Sequence, residues 1–354
     1  MFVGKIINQA LLDIAAEQKN SVFFAQGIGD PNGVFGTLNG LGQVVEAARL
    51  IEMPVAETGG IGTAIGLAIY GKRPVVSFHR VEFLFVALEQ VFNNAAKAHF
   101  ISGGSYSAPI LIRLVVGRGW GQGPSHSQSI ESVFSAIPGL KVVCPSLPSN
   151  AYDVIRNSFD DDAPVICIEH RWTHYAESQL PNLCERNDKF LGSKLVHAGG
   201  DATLVTYGFS VIECNLVVLE FAKHGISIDL IDLQVLRPLD LGPIYKSVAK
   251  TGKLIFVDQG HKTLGIGSEV VSRVTEHCFD NLKSKPIRLG LPDLPSPSSV
   301  ALASDFYVSL PDISETIADV LSINENIKNS VLQALASSPD RQADVPNDKF
   351  KGPF

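Results

Sequence analysis

Apolar residues in this chain recur in short unbroken runs rather than in strict alternation: SVFFAQ (21–26), PVVSF (74–78), PILIRLVV (109–116), KVVCP (141–145) and APVICIE (163–169). After a gap the series resumes with ATLVTYG (202–208), ISIDLID (226–232), KLIFVDQ (253–259) and PIRLGL (286–291). Runs of this length, rich in β-branched residues, read as strands buried on both faces. The intervals are long enough for helices, which the second half of the chain shows near 209–224, 240–250 and 266–279. Strand and helix in alternation predict parallel sheets covered by helices. The opening segment, MFVGKIINQALLDIAAEQKN, reads as an amphipathic helix with charges throughout, not as a cleavable targeting sequence.

Periodicity lapses over 180–200, where Pro, Asn, Asp and Gly collect as they do in exposed connections. The expectation is therefore an α/β chain of two doubly wound domains, 1–185 and 186–325, followed by a helical extension with a loose tail, 326–354, of which about the last fifteen residues are polar and without period. Composition agrees: 45% of the 354 residues are hydrophobic and only 18% charged, which suits buried cores and covered faces. A formal charge of -7 without basic clusters argues against nucleic acid as partner. No apolar run reaches membrane-spanning length. The five cysteines (Cys144, Cys167, Cys184, Cys214, Cys278) are scattered, with no zinc-type spacing, and are expected to be reduced and packed in a cytoplasmic protein.

Three segments carry candidate chemistry. In PVAETGGIGTAIGLAIYGKRP (54–74), a short strand is expected to end at Glu57 and pass through a glycine-rich turn into a helix of small residues. Ligands of open α/β sheets bind at the carboxyl ends of strands, so Glu57 reads as a candidate site carboxylate, although the residues alone favour a surface glutamate capping a helix. SFHRVEFLFVALEQVFNNAAKA (77–98) leaves a strand through a loop bearing His79, Arg80, Glu82 and Phe83, with a helix starting near 93–97. RLVVGRGWGQGPSHSQSIESVF (113–134) leaves another strand through a glycine-rich loop that reaches His126 just before a helix expected near Ser127. An imidazole there can donate to a carboxylate or carbonyl and pass a proton near neutral pH.

GIGDPNGVFG, PVAETGGIGTAIGLAIYGKRP and the PSHSQS run, in this order, resemble the β subunit of the decarboxylase component of the pyruvate and branched-chain 2-oxo acid dehydrogenases. The resemblance covers roughly residues 1–325 and extends through LIDLQVLRPLD (230–240). It implies a transketolase-like pyrimidine-binding domain followed by a transketolase C-terminal domain, and thiamine diphosphate as cofactor. By the same resemblance Glu57 bonds the aminopyrimidine ring, Phe83 packs against that ring and His126 reaches the substrate. His79 and Arg80 are candidate substrate contacts on a loop that would suit a polar or anionic substrate; the competing reading is a surface ion pair between Arg80 and Glu82.

The chain departs from the family pattern where Gln26 and Gly27 stand at usually acidic positions, where Gln234 replaces an arginine, and at Ala163 in a loop near Asp160 that can hold a monovalent cation, an ion not expected here. The GDG stretch and later Asn that hold magnesium and diphosphate in this superfamily are not found. The resemblance thus implies an α subunit carrying the diphosphate and magnesium, in a heterotetramer of two α and two β chains. It implies oxidative decarboxylation with transfer to a lipoyl acyltransferase; the alternative is a non-oxidative carboligase acting on a sugar or other carbonyl acceptor.

Overall fold

The computed structural model describes residues 2–30, 33–118, 121–176 and 192–336. Among the described residues twelve strands form two sheets. The first contains β1 (Ser21–Ala25), β2 (Leu50–Glu52), β3 (Arg73–Phe78), β4 (Leu111–Val116), β5 (Lys141–Val143), β6 (Val165–His170) and β10 (Val235–Arg237), in the order β10-β5-β6-β4-β3-β1-β2. The second contains β7 (Lys194–His197), β8 (Ala202–Thr206), β9 (Ile228–Asp232), β11 (Leu254–His261) and β12 (Ile287–Leu291), in the order β12-β11-β8-β9-β7. All neighbours run parallel except the β10–β5 and β7–β9 pairs. The two α/β domains expected from the apolar runs are present. Helices Ser210–Ala222, Gly242–Thr251 and Ile266–Cys278 stand where the intervals required them.

The sheets cohere because their central strands β1, β4, β6, β8 and β9 are buried on both faces. The first helix, Val3–Glu17, buries Val3, Ile6, Ile7, Ala10, Leu11 and Ile14 along one stripe, in a core shared with Phe23, Val75 and Val115 of the sheet and with Val154 and Ile155 of helix Pro148–Asp160. Four cysteines, Cys144, Cys167, Cys214 and Cys278, are buried and free; Cys184 lies outside the described residues. Among the described residues no helix is long and apolar enough to cross a membrane.

Three strands escaped the pattern of runs: β2, β7 and β10 are three or four residues long and have no apolar signature of their own. Of the connection expected over 180–200, residues 194–197 form β7, antiparallel to β9, and residues 180–191 lie outside the described residues, as does the tail after residue 336. β10 ties the two halves together. At Gln234 the backbone turns left-handed (φ 54°), and its carbonyl accepts the N–H of Cys144 at 2.8 Å before residues 235–237 join the first sheet.

Polar ties cross the same junction. Asp232 accepts hydrogen bonds from Ser146 and from Asn150 Nδ2, and Gln259 Nε2 donates to Glu131 Oε1. Burial pushes the Glu131 and Asp232 carboxyls up to about 7, against the hydrogen bonds that favour their charged forms. A carboxyl raised on folding contributes stability that is fully present below its unfolded value and is lost as pH rises through about 7. Glu131→Gln, which keeps the bond from Gln259 without the charge, is expected to melt a few degrees higher relative to the native chain at pH 8.5 than at pH 5.5. A difference in melting temperature that does not change between the two pH values would show that Glu131 carries no such proton.

Candidate active site

The carboxyl ends of β1, β3, β4 and β6 lie side by side, and the loops leaving them form one wall. Glu57 enters it from β2: the strand ends at Glu52, and Glu57 is the first residue of helix Glu57–Ile69. This differs from the expectation of a strand ending at Glu57. Gly59, Gly60 and Gly62 sit inside the helix, not in a turn before it, because the exposed stretch Pro54–Ala56 already reverses the chain. A carboxylate in the first helical turn is favoured by the helix dipole. Glu57 is only 8% exposed, and its Oε1 accepts Nε2 of Gln26 at 3.2 Å. Thr58 Oγ1 donates to the carbonyl of Val86 at 2.6 Å, which fastens this helix end to the turn Val81–Ala87 that carries Phe83.

Phe83 is half-buried against the main core, and its ring meets His126 edge to face with centroids 5.7 Å apart. His126 does not precede a helix at Ser127 as expected; the next helix is Glu131–Ser135. A helix does not begin at Ser127 because Ile130, with φ -128° and ψ 30°, leaves helical backbone, and the Ser127 carbonyl accepts from a side chain elsewhere in the fold. His126 therefore gains nothing from a helix terminus. Its Nδ1 is buried and lacks a hydrogen-bond partner among the described residues, a state that costs about 1–3 kcal/mol unless a ligand completes it. Residues 93–97 are not a helix start either: they fall in and after a wide π-type turn, Gln90–Ala95.

His79, Arg80 and Glu82 share the exit of β3 with Phe83. His79 Nε2 accepts the N–H of Val34 at 3.2 Å, a role only a neutral ring nitrogen can fill. Burial, with Arg80 beside it, lowers its pKa and so supports that state. Arg80, 6% exposed, donates to Gln122 Oε1. Glu82 Oε1 accepts the N–H of Gln128 at 2.9 Å, while its Oε2 is buried without a partner among the described residues; burial raises this carboxyl. Arg80 and Glu82 are thus not exposed side chains of the surface, and each bonds to the loop that carries His126.

Several residues of this wall were not singled out from the sequence. Phe35 is covered by Arg171, whose Cζ is 3.9 Å from the ring centroid, and touched by Arg80 at 5.6 Å and by the edge of His79. Glu52 supplies a carboxylate close to the positions where Gln26 and Gly27 lack one: its oxygens accept the N–H groups of Gly27 at 2.6 Å and Ile28 at 3.0 Å. From the second domain, Ser296 Oγ donates to the carbonyl of Ser127 at 3.0 Å, and Ser298 packs on Gly121 and Gly123. A Cβ at position 123 would stand 2.3 Å from Ser298 Oγ. Gly123→Ala also forces an L side chain into left-handed backbone, at about 1–2 kcal/mol. Amide exchange over 121–130 is expected to accelerate about tenfold, with the melting temperature nearly kept; unchanged exchange would mean that Ser298 simply yields.

Comparison with known proteins fits this architecture. A model of the transketolase pyrimidine-binding domain matches residues 1–174, and one of the transketolase C-terminal domain matches residues 192–313. The pyruvate dehydrogenase E1 component subunit beta of Gracilaria tenuistipitata var. liui is 34% identical over 313 residues, covering 87% of this chain and 96% of its own length. The 2-oxoisovalerate dehydrogenase subunit beta of Bacillus subtilis (strain 168) is 31% identical, with 86% and 94% covered. The acetoin:2,6-dichlorophenolindophenol oxidoreductase subunit beta of Cupriavidus necator is 34% identical, with 78% and 81% covered. A solved split-gene transketolase, described as an inactive beta4 tetramer, superposes with a TM-score of 0.71 at 18% identity over 91% of this chain and 99% of its own, a likeness of fold. By fold, domain order and similarity along most of its length, the chain belongs to the transketolase-like family of 2-oxo acid dehydrogenase E1 beta subunits.

Proposed function

We propose that this chain is the β subunit of a thiamine diphosphate-dependent 2-oxo acid decarboxylase of the dehydrogenase type, binding the aminopyrimidine half of the coenzyme and completing its site with an α subunit. The observation that carries this reading is the placement of Glu57: a carboxylate almost withdrawn from water, at the mouth of the sheet and tied through Thr58 to the turn that bears Phe83. The donor set suits the group. A flat phenyl ring is available for a flat heterocycle, a carboxylate for its ring nitrogen, and an imidazole with one unsatisfied nitrogen stands against the phenyl edge.

When bound, the coenzyme supplies the electron sink that lets a 2-oxo acid lose carbon dioxide. The chain's own contribution is to hold a pyrimidine nitrogen with Glu57 in surroundings poor in water, to fix the ring plane with Phe83, and to present His126 to the substrate carboxylate or carbonyl as donor and proton carrier. His79 and Arg80 border the same mouth. In this proposal the diphosphate and magnesium are held mainly by the α subunit, because the near-octahedral oxygen set that magnesium needs has no sequence motif here. The surface around Glu57 supports a covering chain. Val55 and Val86 are 86% and 65% exposed, and Gly59 in the first turn of the same helix faces open space. Apolar surface around a site mouth suits an obligate interface, here within a heterotetramer of two α and two β chains. The scattered, buried thiols agree with a cytoplasmic setting.

The test is assembly with the α chain, followed by measurement of carbon dioxide release from 2-oxo acids with and without a lipoyl domain. Acyl transfer to the lipoyl domain is the expected outcome; product that instead requires a sugar or other carbonyl acceptor would select the carboligase reading. Glu57→Gln is expected to lower kcat by about 10²–10⁴ with the melting temperature unchanged. Turnover near that of the native enzyme would remove Glu57 from the mechanism.

A further inference from the structure

The loop that carries His126 is held at both ends by the loop that leaves β3. Arg80 donates to the side-chain oxygen of Gln122, four residues before His126, and Glu82 accepts the backbone N–H of Gln128, two residues after it. Arg80 is only 6% exposed and Glu82 is half-buried. A third tie comes from the second domain, where Ser296 donates to the carbonyl of Ser127 at 3.0 Å in a buried position. Between the clamps the segment has no regular structure of its own: Gly121 and Gly123 are left-handed, and the next helix begins only at Glu131. Such a segment is conformationally free unless side chains fix it.

We infer that Arg80 and Glu82 are positioning residues for His126, acting through Gln122 and the Gln128 amide rather than by contact with substrate. The inference rests on the site reading above, and it replaces a direct substrate role for Arg80 with an indirect one. Its physical content is that His126, with one buried nitrogen unsatisfied, is placed against the Phe83 edge by ties external to its own loop. A displacement of about 1 Å at a reacting group can cost roughly 10²-fold in rate. Loss of either clamp should therefore act on kcat more than on KM.

The experiment uses the full chain assembled with its α partner and a double-mutant cycle between Arg80→Met and Gln122→Ala. If Arg80 works through Gln122, each single change lowers kcat by about 10–100-fold, with KM within about threefold, and the double variant is no worse than the worse single. Effects that multiply in the double variant, or a rise in KM confined to Arg80→Met, would show Arg80 acting on substrate independently and overturn the inference. Gln122→Ala alone guards against misfolding, since it leaves the buried guanidinium in place; native kcat in that variant would also overturn it. A second readout is independent of turnover. Hydrogen exchange of the peptide 121–130 and ethoxycarbonylation of His126, both followed by mass spectrometry, are expected to accelerate about tenfold in Gln122→Ala and in Glu82→Asp, whose shorter side chain cannot reach the amide as well. Accelerated labelling in a complex that has no 2-oxo acid activity would retain the clamp and discard the functional reading. Unchanged labelling in an active complex would do the reverse.

Discussion

A guanidinium in the middle of a parallel sheet is the constraint to which the rest of this site is tied. Arg113 lies on β4, wholly buried, and a bare charge there would cost several kcal/mol. It is met on every side. Glu169 of β6 takes Nε and NH2 at 2.6 and 2.9 Å, Ser77 of β3 accepts at 3.1 Å, and Thr37 of the loop after β1 accepts at 3.0 Å. Burial alone would raise the Glu169 carboxyl, but Arg113 and His174 hold it down to about 2. A slip of one residue in any of these three strands would send its polar group to the opposite face and leave a charge or hydroxyl stranded. The pair therefore fixes the register of β3, β4 and β6, and the site residues follow within a few positions: His79 and Arg80 after Ser77, Gly117 and the His126 loop after Arg113, Arg171 after Glu169.

The second constraint acts between domains. β10 belongs by sequence to the second half of the chain and by hydrogen bonding to the first sheet, so the two α/β units cannot shift apart without breaking a strand pair. Asp232 with Ser146 and Asn150, and Gln259 with Glu131, fill the same junction with buried polar pairs that are costly to leave half-made. The His126 loop lies next to this junction and takes one of its ties from Ser296. Placement of a first-domain imidazole thus depends on a tie from the second domain.

What could be read from the sequence was whatever a single segment specifies by itself. Long apolar runs announced nine strands, because strands of a covered parallel sheet carry mostly apolar residues in unbroken stretches. β2, β7 and β10 were hidden because each holds only two consecutive apolar residues, whereas the equally short β5 runs on into Cys144. Glu57, Phe83 and His126 were legible only through motif resemblance, and the structure brings Phe83 and His126 into ring contact while Thr58 links the Glu57 helix to the Phe83 turn. Phe35, Arg171, Glu52 and Ser296 were not legible, since each matters through a partner 24 or more residues away that no local pattern reveals. The helix expected at Ser127 failed for a related reason. Its first carbonyl accepts from Ser296, distant in sequence, and Ile130 departs from helical backbone.

The strained turn after β1 shows how far the central ion pair reaches. Val34 and Phe35 have φ values of 43° and 58°, a left-handed conformation that costs side-chain-bearing residues about 1–3 kcal/mol each. Thr37 offsets part of this by donating its hydroxyl to the Val34 carbonyl at 2.8 Å, and the same hydroxyl accepts from Arg113. His79 takes the Val34 N–H, and Arg171 lies over the Phe35 ring. A chain of contacts therefore runs from the buried guanidinium through Thr37 and Val34 to the neutral imidazole at the end of β3. Proton uptake by His79 would remove its acceptor nitrogen and place a second cation beside Arg80, so the depressed basicity of that ring and the strain of the turn sustain each other. Residues that look like a polar substrate surface in the sequence are, in the folded chain, first of all the means by which a strained backbone is held at the mouth of the site.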